Sequence, residues 1–188
     1  MKKIIFGLLL LTSSTITYAE GDLKGLFSAG FTLGGEDLAT STTGQSVTTA
    51  GFMYLSAGGL YNIQDTDFSI QAAVGYNYDS ITASNGTFSF SEKSFEIIPF
   101  YRVDEKMKIG IGLFNVLSAR YSGTSKVTFG SVSGPVVEMN WTLSSRASWG
   151  IRYVSIDLPY ESFNGIDVSS SGITEDGSSF GIVYYGHF

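Results

Sequence analysis

The 188-residue chain carries 17 acidic and 11 basic side chains, a net charge of −6, with one histidine and no cysteine. That balance argues against nucleic-acid binding, which needs a basic patch, and the absence of thiols excludes disulfides and thiolate metal sites. No stretch after residue 19 is long and apolar enough for a transmembrane helix, so a membrane protein of this composition must be a closed barrel.

Met1-Lys2-Lys3 is a short basic start, Ile4 to Leu11 an apolar run, and Thr17-Tyr18-Ala19 a small-x-small site before Glu20. The pattern predicts a secretory signal peptide over 1–19, cleaved after Ala19. The apolar run is too short to anchor the chain, because a hydrocarbon core needs about 20 residues. No cysteine follows it, which excludes a lipoprotein. The expected mature domain, 20–188, carries nine basic against 17 acidic residues, a net charge of −8.

Eight segments with period-two character follow, near 22–34, 49–62, 67–79, 94–104, 106–119, 133–144, 147–158 and 178–188. In the first, Leu23, Phe27, Ala29, Phe31 and Leu33 oppose Lys24, Ser28, Gly30 and Thr32. The second is weaker; Met53, Leu55, Ala57 and Tyr61 are read as its outer face, with a bulge left open. The third sets Phe68, Ile70, Ala72, Val74, Tyr76 and Tyr78 against Ser69, Gln71, Ala73 and Asn77, and the fourth Phe95, Ile97, Pro99 and Tyr101 against Glu96, Ile98, Phe100 and Arg102. The fifth sets Ile109, Ile111, Leu113 and Leu117 against Lys108, Phe114 and Val116, and the sixth Val137, Met139, Trp141 and Leu143 against Val136, Glu138 and Asn140. The seventh opposes Trp149, Ile151 and Tyr153 to Ser148 and Arg152; the last opposes Phe180, Ile182, Tyr184, Gly186 and Phe188 to Ser179, Val183, Tyr185 and His187. The apolar faces hold no Asp, Glu, Lys or Arg, as expected where a lipid-facing cation near the midplane costs about 2–4 kcal/mol. Proline lacks a ladder donor, so Pro135 is expected to open its strand and Pro99 to mark a bulge or local distortion.

Connections alternate. Those after the second, fourth and sixth segments are tight, whereas 35–48, 80–93, 120–132 and 159–177 are long and rich in Ser, Thr, Gly and Asn. Short turns on one side and long loops on the other fit an all-β, eight-stranded antiparallel transmembrane up-and-down barrel with both termini in the periplasm.

The signal pattern, eight amphipathic strands, four long loops and terminal Phe188 resemble the small Gram-negative outer-membrane barrels of the OmpA/OmpX type. The resemblance implies an outer-membrane location, a monomer, and contact with outer-membrane lipid and lipopolysaccharide. It also implies that the barrel-assembly machinery reads Phe180, Ile182, Tyr184 and Phe188 as an assembly signal. Gly186, at the third position from the end, departs from the aromatic that is commoner there.

An eight-stranded barrel is just wide enough for its own side chains, so inward charges meet one another. The tight turn near 145 brings Arg152 beside Glu138 and Asn140, and Lys24, Glu96 and Arg102 extend the polar network. The main expectation is a lumen plugged by these groups, giving an envelope-structural or surface-interaction role; the alternative is a narrow channel for small solutes or hydrophobic compounds. Some barrels of this kind modify lipid A, but the only histidine, His187, falls at the periplasmic end, so no enzyme, cofactor or metal is expected. Gly86-Thr87-Phe88-Ser89-Phe90-Ser91 and Lys126-Val127-Thr128-Phe129-Gly130 alternate within loops, and would extend strands three to six outward as hairpins for an extracellular protein partner. Glu36, Asp37, Glu92, Glu161, Asp167, Glu175 and Asp176 are read as solvated loop acids without calcium-loop spacing.

Overall fold

The computed structural model describes residues 21–41, 44–83 and 86–188; the proposed signal segment with Ala19 lies outside the described residues. The strands are β1 (Gly21–Gly34), β2 (Asp37–Thr40), β3 (Ser46–Thr48), β4 (Met53–Ile63), β5 (Phe68–Ala83), β6 (Gly86–Arg102) and β7 (Met107–Ser122). They continue with β8 (Lys126–Phe129), β9 (Val132–Ser144), β10 (Ala147–Val154), β11 (Asp157–Phe163), β12 (Ile166–Asp167), β13 (Thr174–Asp176) and β14 (Ser179–His187). Eight of them, β1, β4, β5, β6, β7, β9, β10 and β14, pair antiparallel in that order. β14 returns to β1 with Ala29 opposite Tyr184, which closes the barrel. Closure goes to the last residue, since Gly25 donates to the Phe188 carbonyl at 2.7 Å and Phe188 donates back at 3.0 Å.

The short turns are held by local side chains. Asp104 Oδ1 accepts from the backbone N–H groups of Lys106 (2.7 Å) and Met107 (2.8 Å) between β6 and β7. Thr66 plays the same part between β4 and β5, donating to the Ile63 carbonyl at 3.0 Å. Asx and Ser/Thr turns of this kind replace ladder bonds where the chain reverses.

The faces follow the sequence periodicity. Leu23, Phe31, Val74, Ile111, Leu113, Leu143, Ile182 and Tyr184 are exposed outward, while Ser28, Gln71, Glu96, Phe100, Phe114, Glu138, Arg152 and Tyr185 are buried inward. β4 takes the expected facing, with Tyr54, Ser56 and Leu60 inside. Its register against β5 runs without a shift, so no bulge forms there.

The structure decides or alters several expectations. Pro135 lies inside β9 rather than opening it. Its carbonyl accepts from Ser155 N–H at 3.1 Å, so its donorless nitrogen faces the β10 side, where regular pairing has ended at Val136–Val154. Pro99 distorts without bulging: the β6–β7 ladder skips Ile98 and Pro99 but keeps its register on either side. The register shift falls higher, where Lys93 pairs with Ser118 but Ser94 with Val116. Leu117 is the extra residue, and the inward parity of β7 then flips to Ala119 and Tyr121. Finally, 80–93 follows the hairpin extension expected from its alternation rather than a long loop: β5 and β6 stay paired up to Ala83–Gly86, and β8 continues this sheet beside β7.

The chain that follows β10 does not prolong it. After Ser155 it crosses to pair as β11 with β8, and β12 and β13 then pair with β11. Asn164 and Gly165, both at positive φ, make the two-residue β11–β12 turn that the Asn-Gly dipeptide favours.

Candidate functional site

Three regions inside and above the barrel concentrate the unusual chemistry. The first is a polar cluster across the lumen. Arg152 on β10 and Glu96 on β6 come from opposite walls, and Arg152 Nη2 donates to Glu96 Oε2 at 2.5 Å with both side chains almost fully buried. Gln71 Nε2 donates to the other Glu96 oxygen at 3.0 Å. The guanidinium carbon also stands 4.8 Å from the Tyr54 ring centroid and 5.6 Å from that of Phe114, distances at which a desolvated cation is attracted to an aromatic face. Arg152 is the Cα partner of Glu138, yet Glu138 is engaged elsewhere. It accepts from Tyr185 Oη at 2.7 Å and from Asn140 Nδ2 at 3.3 Å.

Of the six residues expected in the lumen network, Glu96, Glu138, Asn140 and Arg152 lie in this cluster. Lys24 and Arg102 do not. Lys24 pairs with Asp22 at 3.1 Å at the short-turn rim, and Arg102, the last residue of β6, is exposed there. Sequence reasoning missed Gln71, Tyr54 and Tyr185 as partners, because across-barrel neighbours depend on stagger, which periodicity does not carry. It also misread Glu92. Rather than a solvated loop acid, Glu92 is buried on β6 and accepts from Asn77 Nδ2 at 3.0 Å. The strand extends farther than expected and turns this position inward.

The second region is apolar. Phe88, Phe90, Val116, Tyr121, Val127, Phe129, Ile156 and Leu158 form a buried cluster at the long-loop end, continuous with Ile98, Phe100 and Phe114 inside the barrel. The β2–β3 hairpin folds onto it through Val47, which is fully buried. Polar ties hold this lid. Thr49 Oγ1 donates to the Asp176 carbonyl. Glu36 N–H donates to Thr49 Oγ1 at 2.7 Å, and Thr48 N–H to Asp79 Oδ2 at 3.2 Å.

The third region is the sheet beyond the barrel, in the order β12-β11-β8-β7-β6-β5. Phe129 meets Tyr160 edge-on with centroids 5.2 Å apart. Tyr160 Oη donates to Glu175 at 2.7 Å, and burial together with this carboxylate pushes the phenol up to about 12. Asp167 is held below the usual carboxylate range by the Ser169 hydroxyl and N–H. Phe163, Ile166 and Ile173 are exposed near the outer edge.

No family model matches the chain, and no curated protein matches it. Among solved structures it is similar to Ail, the attachment invasion locus protein of Yersinia pestis, in complex with the heparin analogue sucrose octasulfate. The TM-score is 0.57 at 10% identity, covering 90% of this chain and 99% of that one. It is also similar to Neisserial surface protein A, with a TM-score of 0.50 at 16% identity, covering 88% of this chain and 97% of the other. The chain has the fold of the small outer-membrane barrels. In that fold the short turns and both chain ends face the periplasm, and the long loops face outward. The exposed apolar girdle corresponds to the wall that such barrels turn to lipid, and the β5–β8 and β11–β13 extensions lie at the long-loop end.

Seen from the periplasm, the barrel opens into a cavity of about 350 Å³ beneath the polar cluster, lined in part by Lys24, Arg102, Lys108, Ser148 and His187. Ser148 Oγ lies 3.1 Å from His187 Nε2. His187 Nδ1 has no hydrogen-bond partner among the described residues, so no carboxylate orients the ring as a general base would require.

Proposed function

We propose that the protein is a non-conducting, non-enzymatic membrane anchor that presents its extracellular sheet to a protein partner at the cell surface. The carrying observation is that one buried apolar cluster both fills the extracellular end of the lumen and forms the underside of the projecting sheet. Water and ions gain no path through a dry apolar core, because each would have to shed its hydration there without a compensating partner. The same packing stiffens β5, β6, β7, β8 and β11, and a stiff sheet loses little freedom on binding.

The edge chemistry indicates the partner. β12 forms an open margin of the sheet, whereas β13 is partly covered through Asp176 by Glu36 and Thr49; an unpaired margin accepts an extended strand through main-chain hydrogen bonds. Glu36, Asp37, Asp79, Asp157, Glu161, Asp167, Glu175 and Asp176 outnumber the outer cations Lys93, Arg120 and Lys126. That surface repels a polyanion such as the heparin analogue bound to Ail, and favours a neutral or basic extended peptide. A monomer in lipid and lipopolysaccharide, assembled by machinery that reads Phe180, Ile182, Tyr184 and Phe188, completes the proposal.

Planar-bilayer recording of the refolded barrel tests the closed lumen. Silence is expected, and reproducible discrete conductance would overturn it. The surface role is tested by attachment to host-cell monolayers of bacteria displaying the wild type or the double variant Phe163→Asp, Ile166→Lys. Severalfold weaker attachment by the variant is expected. Equal attachment by wild type, variant and non-displaying cells would refute the role.

A further inference from the structure

Arg102 and Lys108 are direct cross-strand partners on β6 and β7, and both belong to the periplasmic cavity. Like charges directly opposite each other destabilise a sheet. No carboxylate within ion-pair distance relieves either one: among the described residues the ion pairs are Lys24–Asp22 and Arg152–Glu96. Lys108 Nζ instead sits 4.6 Å from the centroid of the Phe100 ring. Lys24 lines the same cavity, and Ser69, Thr142 and Ser148 add hydroxyls to it.

Carboxylates are near, Asp67 beside Arg102, whose N–H donates to the Asp67 carbonyl at 2.8 Å, and Glu138 within electrostatic reach of Lys108, but none forms an ion pair with either cation. Asp104 is committed to the β6–β7 turn through Lys106 N–H and Met107 N–H, Asp22 is paired with Lys24, and Asp67 and Glu105 are exposed. The described residues contain no acidic or histidine grouping able to hold a metal ion. The cavity therefore offers cations and hydroxyl donors within, and its volume is of the order taken by small-molecule sites.

We infer that this periplasmic cavity binds a small oxyanion of the phosphate class between Arg102 and Lys108. The Arg102 guanidinium presents two parallel N–H donors to two oxygens, and Lys108 supplies a point charge beside it. A bound anion converts a repulsive cross-strand pair into a bridged one. The site is independent of the extracellular sheet and of the partner proposed for it.

The test is an amide NMR titration of the refolded, isotope-labelled barrel in sugar-headgroup micelles, using inorganic phosphate in one arm and glycerol phosphate in the other. Saturable shifts confined to Arg102, Lys108, Ser148 and their neighbours are expected. Lys108→Gln should weaken binding at least tenfold. Arg102→Gln, at an exposed rim position, should act in the same direction and serves if the Lys108 variant does not refold. Lys126→Gln, on the outer loops, should change nothing. Tighter glycerol phosphate identifies a lipid headgroup as the source, and tighter inorganic phosphate a free solute; either supports the site. Non-saturating shifts, shifts spread over the outer loops, or affinity unchanged in both cavity variants would overturn it.

Discussion

Replacing Glu96 by leucine would leave the Arg152 guanidinium buried between Tyr54 and Phe114 without the carboxylate that holds it. Removing one partner of a buried pair costs about 3–5 kcal/mol, because the remaining charge stays desolvated. The lower end applies here. Glu138 is the register partner of Arg152, and offers partial relief if Tyr185 and Asn140 release it. Arg152→Met strands Glu96 in turn, with only Gln71 as a donor. The double variant Glu96→Leu, Arg152→Met removes both charges and should regain most of the loss. Denaturant unfolding from lipid vesicles measures all three, and losses that simply add would show that the two side chains do not act as a pair.

Among the elements, the β2–β3 hairpin carries the greatest consequence for its size. Val47 is its one fully buried side chain in the lumen cluster, with Leu38 and Ala39 packed partly buried beside it, and hydrogen bonds around Thr48 and Thr49 add polar ties. Val47→Asp places an unpaired carboxylate in the buried apolar cluster that also holds Phe88 and Leu158, which an apolar site rejects. The hairpin should lift while the eight paired strands persist. Limited proteolysis of intact cells should then cut within 35–52, with the heat-modifiable gel shift of the barrel retained; resistance equal to wild type would show that the hairpin is held otherwise. Little of this lid was legible in the sequence. Eight strands, their facing and the short turns follow from period-two alternation because lipid on one side and a packed lumen on the other enforce it. Residues 35–48 carry no such enforcement: Asp37–Thr40 and Ser46–Thr48 are too short for periodicity to register. The same limit hid β11–β13, although Asn164-Gly165 marked a hairpin there. It hid the flip at Leu117 as well, since a single inserted residue reads as noise in alternation. Glu96, Glu138 and Arg152 could be placed inside by parity, but which carboxylate meets the arginine depends on the stagger of strands across the barrel.

For the whole molecule, membrane residence rests on the outward residues acting as one band. Phe31, Ile182 and Ile151 lie in line across β1, β14 and β10, and Ile182 is six residues above the periplasmic end at Phe188. At about 3.4 Å per residue and a tilt near 40°, that height lies close to the middle of a 25 Å band. Leu23, three-quarters exposed on β1, points outward close to the periplasmic edge. An arginine at the two positions therefore meets different surroundings while removing a similar apolar side chain. Ile182→Arg should cost about 2–4 kcal/mol and Leu23→Arg about 0–1 kcal/mol, following the depth dependence of cations on a lipid-facing wall. Both variants should be compared by reversible denaturant unfolding in lipid vesicles, where their difference isolates depth from side-chain loss. Equal costs would place the two residues at one depth and contradict a barrel standing across the bilayer with its terminal strand running from Phe188 upward.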